Sequence, residues 1–208
     1  MMLSKYIFDR FSREETDAPV DAQRHFDAGV CLATDGFYQK ALVEFKLAMR
    51  ANPNCAETQV EIGSTYHKMG EPRKAIKSYL AALKIRSNFV TAYTKLGAAY
   101  DELGDFVNAL KVYAKAIVLA PQDPELRNDL GLAYFHIGSY AEAIKAFRQA
   151  LFIDSDNGRA HYCLGLVYLD LNDPLLATAE HDRLILLNEK DLAFLLLDKI
   201  QRQKQKVS

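Results

Sequence analysis

There is no tryptophan in this 208-residue chain, only three cysteines and six prolines, and its 26 basic and 27 acidic residues leave a net charge of -1. Each shortage excludes something. Near-neutrality removes the global electrostatic reason to expect nucleic-acid binding. Cys31, Cys55 and Cys163 share no paired spacing, so neither a disulfide framework nor a zinc framework is expected, and the thiols read as reduced. The longest late apolar run, LAFLLL from Leu192 to Leu197, is too short to cross a bilayer. The start, MMLSKYIFDRF, is interrupted by charge before a signal-peptide core can form. Both features point to a soluble, cytoplasmic chain without membrane insertion. No P-loop, dinucleotide-binding glycine run, HExxH, GxSxG or CxxC occurs. We therefore expect no enzyme, no catalytic residue, no cofactor and no metal.

What is present is a repeat. DLGLAYFHIGSYAEAIKAFRQA, Asp129 to Ala150, shares its skeleton with KLGAAYDELGDFVNALKVYAKA and EIGSTYHKMGEPRKAIKSYLAA earlier in the chain. Gly29, Gly63, Gly97, Gly131 and Gly165 follow one another at intervals of 34 residues without insertion or deletion. A period of this length marks a supersecondary unit that cannot bury its apolar face alone, so neighbouring units must stack. Five units, at about 22–55, 56–89, 90–123, 124–157 and 158–191, leave no room for a separate catalytic domain. They are preceded by an N-terminal amphipathic segment and linker, 1–21, and followed by a capping helix and basic tail, 191–208.

Within a unit the apolar positions recur every three or four residues in two blocks, Ala28, Cys31 and Leu32, then Ala41, Leu42, Phe45, Ala48 and Met49. That spacing predicts two amphipathic helices. Gly36, Gly70, Gly104 and Gly138 sit between the blocks as left-handed C-caps, and Asn172 takes that place in the fifth unit. Asp105, Ser139 with Glu142 as a capping box, and Asp173-Pro174 read as starts of second helices. Gly29 and its counterparts fall inside the first helix, where glycine costs about 1 kcal/mol relative to alanine, so a neighbouring helix should approach closely there.

The pattern Leu96-Gly97, Tyr100, Ala109, Tyr113, Ala116, Pro121 resembles that of tetratricopeptide repeat proteins, and every glycine except Gly158 obeys it. The departures are local. The family's tryptophan is replaced by His25, Gln59, Tyr93, Arg127 and His161, and the fifth unit loses its second-helix aromatic to His181. The fold the resemblance implies is all-α, a right-handed superhelical solenoid of helical hairpins. A C-terminal capping helix should seal it with Leu192, Leu195, Leu196 and Ile200 on one face. Lys199, Arg202, Lys204 and Lys206 read as a solvated, fraying tail.

The resemblance also implies a concave groove lined by the first helices. Carried residue by residue onto this chain, its partner-facing positions include Phe26, Val30, Glu57, Glu61, Asp101, Glu102, Asn128, Leu132, Phe135, Tyr162, Leu166 and Leu169. Carboxylates outnumber cations there, and the lysine, arginine and asparagine set with which co-chaperones of this fold clamp a chaperone's terminal carboxylate is absent. The expectation is a non-enzymatic scaffold for protein-protein interaction, binding a basic and apolar protein or peptide segment and no nucleic acid. Two alternatives are a self-assembling structural protein and a dedicated chaperone of a secretion or assembly machine. Residues 1–13, with Leu3, Ile7 and Phe11 on one stripe and Lys5, Arg10 and Arg13 beside it, would make a homo-oligomer by occupying a groove.

Overall fold

A computed structural model describes residues 20–207, and the expectation placed on residues 1–13 lies outside them. Among the described residues there are helices and no strands. The first, α1, spans 20–34. It is followed by α2 (Tyr38–Ala51), α3 (Ala56–Lys68), α4 (Pro72–Ile85), α5 (Val90–Glu102) and α6 (Phe106–Leu119). Then come α7 (Pro124–His136), α8 (Tyr140–Ile153), α9 (Gly158–Asp170), α10 (Pro174–Leu186) and α11 (Lys190–Val207). The repeat of the sequence is thus a repeat of helical hairpins: α3, α5, α7 and α9 begin at the same point of each period.

The turn chemistry explains the spacing. Gly36, Gly70, Gly104 and Gly138 have φ between 71° and 83°, and Asn172 holds φ 60° in the same role. Asp105 accepts from the Asn108 backbone N–H, and Asp173 from that of Leu176, so both second helices are capped as their sequence implies. Ser139 makes no such bond, and the capping box expected with Glu142 does not form. Asn157 supplies an unforeseen cap, accepting from the Ala160 N–H at the start of α9.

The chain packs as two compact units, 1–99 and 100–208, and the division falls within α5. In the first unit α3 packs on both α2 and α4. Phe26 meets Phe45 with ring centroids 6.1 Å apart, above a cluster of Ala33, Ala41 and Phe45. Gly29 and Gly63 are the close approaches anticipated: a Cβ built on either would lie 2.5 Å from the ring of Phe45 or Tyr79. Both rings are completely buried, each contributing roughly 1.5–3 kcal/mol of apolar burial.

In the second unit α7 packs on α6 and α8, α9 on α8 and α10, and α11 on α9 and α10. Ala109, Tyr113 and Ala133 form one cluster. Phe147, Leu164, Val167, Leu184, Leu196 and Ile200 belong to a larger one. The terminal hairpin repairs its own sequence defect. Where earlier units place an aromatic over the first-helix glycine, the fifth has His181, and Leu196 of α11 fills the notch instead, 2.5 Å from a Cβ built on Gly165. Of the capping face expected on α11, Leu196 and Ile200 are buried, but Leu195 is 47% exposed and Ala193 takes the inward position. The helix continues to Val207, so the basic stretch extends it rather than fraying.

A candidate partner-binding cleft

The second unit holds a cleft of about 630 Å³ lined by Phe135 of α7, by Leu166, Leu169 and Asp170 of α9, and by Asp198, Lys199, Arg202 and Gln203 of α11. Three of the anticipated groove residues, Phe135, Leu166 and Leu169, are brought together as its apolar floor. Periodicity does this: Leu166 and Leu169 are one turn apart on α9, and Phe135 lies in the last turn of the helix packed beside it. Leu169 is largely buried, whereas Phe135, Leu132, Tyr162 and Leu166 keep partial exposure.

The rim is only partly legible in the sequence. Gln203 donates from Nε2 to the Leu169 carbonyl at 2.8 Å and to the Asn172 side chain at 3.2 Å. Its Oε1 is buried without a hydrogen-bond partner, an acceptor facing unmet demand. Arg202 is held by Asp198 at 2.9 Å, and Asp170 accepts weakly from the Tyr140 hydroxyl at 3.3 Å. The sequence pattern assigns α11 to capping alone. The signal it does carry is that Lys199, Arg202 and Gln203 fall on the turns that pack Leu196 and Ile200 inward.

Further along α7 and α9 polar side chains, the anticipated Asn128 among them, bond to one another. Arg159 bridges Glu125 and Asp129, each at 2.7 Å. Asn157 donates to Glu125 at 2.8 Å, and Asn128 donates to Asn157 at 3.0 Å. Asn128 is completely buried, so its amide joins two hairpins and does not face a partner, a correction to its place in the groove. Burial pushes the Glu125 carboxyl up, but hydrogen bonds from Asn157 and Arg159 outweigh it and hold the group below its usual value. Burial raises Asp129 against the opposing Arg159. Burial also raises Asp101, although its hydrogen bond from the Tyr113 hydroxyl at 2.8 Å works the other way. Glu102 is exposed.

In the first unit Phe26, Val30, Glu57 and Glu61 are all partly exposed. Glu57 is paired with Arg86, and that bond, with others, outweighs burial and lowers the carboxyl. His25 and His161, at equivalent positions of the first and fifth hairpins, reach across to Glu44 at 2.7 Å and Glu180 at 2.6 Å. This is a structural use of histidine, tying a first helix to its second. The described residues contain no group of three metal-ligating side chains and no helix long and apolar enough to cross a membrane.

A family model described as TPR repeat matches residues 73–104, 102–138 and 133–172. Several solved structures share the fold. MamA from Desulfovibrio magneticus RS-1, residues 41 to its end, superposes with a TM-score of 0.70 at 22% identity, over 81% of this chain and 94% of that one. TTC0263, a thermophilic TPR protein of Thermus thermophilus, gives 0.69 at 24% identity, over 86% and 99%. YrrB, described as a TPR protein with an unusual peptide-binding site, gives 0.67 at 20% identity, over 84% and 90%. A search of curated protein sequences finds no match.

Proposed function

Because the chain is a tetratricopeptide repeat protein, a fold that serves protein-protein interaction, we propose that it is a scaffold holding a partner segment in the cleft between α7, α9 and α11. The observation that carries this reading is the cleft's composition: an apolar floor of Phe135, Leu166 and Leu169 beside a buried, unpartnered acceptor at Gln203. Such a site takes a large apolar side chain on its floor and polar or charged groups along its rim. Asp170 and Asp198 on the rim favour a cationic flank, although Lys199 stands among them and Arg202 already engages Asp198.

The test is a titration of the full chain with short peptides that carry one leucine or phenylalanine flanked either by lysines or by glutamates. Binding of the lysine-flanked set, weakened at least about tenfold by Phe135→Ala with Leu166→Ala, is the expected result, since about 1.4 kcal/mol is a small part of two buried side chains. Equal binding of both sets would refute the charge preference. Binding unaffected by the double substitution would refute the cleft itself.

A further inference from the structure

The nearly neutral chain divides its charge by helix. Carboxylates stand on first helices, Glu57 and Glu61 on α3, Asp101 and Glu102 on α5, Glu125 and Asp129 on α7, whereas α4 and α6 contain no aspartate or glutamate. On each second helix the positions opposite the buried alanines form an outward stripe at i, i+4, i+7 and i+11, and every member is exposed. In α4 the stripe reads Arg73, Lys77, Leu80, Lys84. In α6 it reads Val107, Lys111, Ala114, Val118, and in α8 Ala141, Lys145, Arg148, Phe152. These stripes hold cations and apolar side chains and no carboxylate, until Asp182 enters on α10. The last position of the stripe changes along the chain. It is Arg50 and Lys84 in the first two repeats, then Val118, Phe152 and Leu186, which are 80%, 92% and 76% exposed. Large apolar groups left in water at one repeat-locked position, beside a basic belt, mark an interaction surface.

Charge and shape together select the occupant. Arg148 donates to the Tyr168 hydroxyl at 3.2 Å, but Lys111, Lys115 and Lys145 have no ion-pair or hydrogen-bond partner among the described residues, so their charge is free for an anion. The face is convex. Neither the α7–α9–α11 cleft nor an opening of about 370 Å³ beside Cys55, between α1, α2 and the start of α3, includes any residue of the stripes. A side chain as exposed as Phe152 stands clear of its neighbours and gives a protein segment no groove to lie in. A lipid surface needs no groove: its headgroups meet the lysines, and apolar side chains standing clear of the helix enter the boundary between headgroups and acyl chains. We propose that the outer face of α6, α8 and α10 docks peripherally on an anionic lipid surface, with Lys111, Lys115 and Lys145 on the headgroups and Val118, Phe152 and Leu186 below them. The face shares no residue with the cleft, and its role stands apart from the partner reading.

The test is flotation of the full chain with vesicles of phosphatidylcholine, with and without phosphatidylserine. Retention on the phosphatidylserine vesicles alone is expected. Lys111→Glu with Lys145→Glu should lower partitioning by at least about 25-fold, since each lysine near such a surface is worth about fivefold. Phe152→Ser should lower it about tenfold. Both variants should keep the parent's unfolding midpoint, because the altered side chains are exposed. No flotation with phosphatidylserine, or equal flotation of the double variant, overturns the proposal. The chain has no tryptophan, so Phe152→Trp introduces a single fluorescent reporter. Its emission should move to the blue on the phosphatidylserine vesicles and stay in place with polyglutamate or a single-stranded oligonucleotide. An equal shift with either soluble polyanion, or flotation indifferent to Phe152→Ser, assigns the face to an acidic macromolecule and overturns the lipid reading.

Discussion

Gly131 has no room for a methyl group, because its Cβ would fall 2.5 Å from Cε1 of Phe147, a ring with no exposed surface and no space to retreat into. Gly131→Ala should therefore destabilise the protein by about 1–2 kcal/mol, read by urea unfolding, even though alanine is the better helix former. His161 carries a pH dependence of definite sign. The hydrogen bond to Glu180 holds its imidazole above the ordinary histidine value, assisted by the Ser155 carbonyl and opposed by burial and Arg183. A raised folded value means the pairing contributes fully below the unfolded value of about 6.5 and is lost as pH climbs through the folded one. The unfolding midpoint should accordingly fall as pH rises from about 6.5, and His161→Gln should flatten that fall; an equal slope in the variant would remove His161 as its source. Cys163, its thiol pushed up to about 12 by burial, should resist alkylation in the native state while Cys31 reacts.

At the scale of elements, α11 is both a seal and a wall. Leu196 occupies the position over Gly165 that an aromatic holds in earlier hairpins, and Ile200 and Ala193 complete its inward face. Leu196→Ala should cost about 2–5 kcal/mol, whereas Leu195→Ala, on the exposed side, should cost well under about 1 kcal/mol. Equilibrium unfolding of the two variants checks the order, and equal costs would contradict the face observed. The α7–α9 pair is joined differently, through Glu125, Asn128, Asn157 and Arg159, so its register is fixed by bonds as well as by packing. Those bonds explain why anticipated groove positions on these helices are not all available to a partner.

At the scale of the whole molecule, charge is nearly balanced, and the anticipated groove positions include carboxylates such as Asp101 and Glu102. Association with a lysine-flanked segment should weaken as salt rises from about 0.05 to 0.5 M, because exposed charges are screened over about 8 Å at physiological ionic strength. Reversing these acids is not equally harmless everywhere. Asp101→Lys would strip the bond from Tyr113, which is 1% exposed, and should lower stability by about 1–3 kcal/mol, whereas Glu102→Lys should not. Affinity measured beside an unfolding curve for each variant separates lost recognition from lost folding.

The sequence by itself determined the hairpins: the period of 34 residues, the left-handed glycines and Asn172, the capping aspartates, and the glycine notches all depend on neighbours close in the chain or on a repeat that copies itself. It also placed Phe135, Leu166 and Leu169 on facing turns of neighbouring first helices, because helical spacing and repeat offset together locate a side chain. Only the tertiary structure decided what those side chains meet. Helical periodicity states which face of a helix is apolar, and leaves open whether a carboxylate or amide on the other face looks at solvent or at a residue some thirty positions away. Hence Asn128 proved to be an internal bridge, Leu195 yielded its place to Ala193, and Gln203 emerged as an unsatisfied acceptor in a cleft wall. The opening beside Cys55 is of the same kind: small residues stand in the sequence at Asn52 and Cys55, but that none of the described residues grows to fill the gap is a property of the packed hairpins.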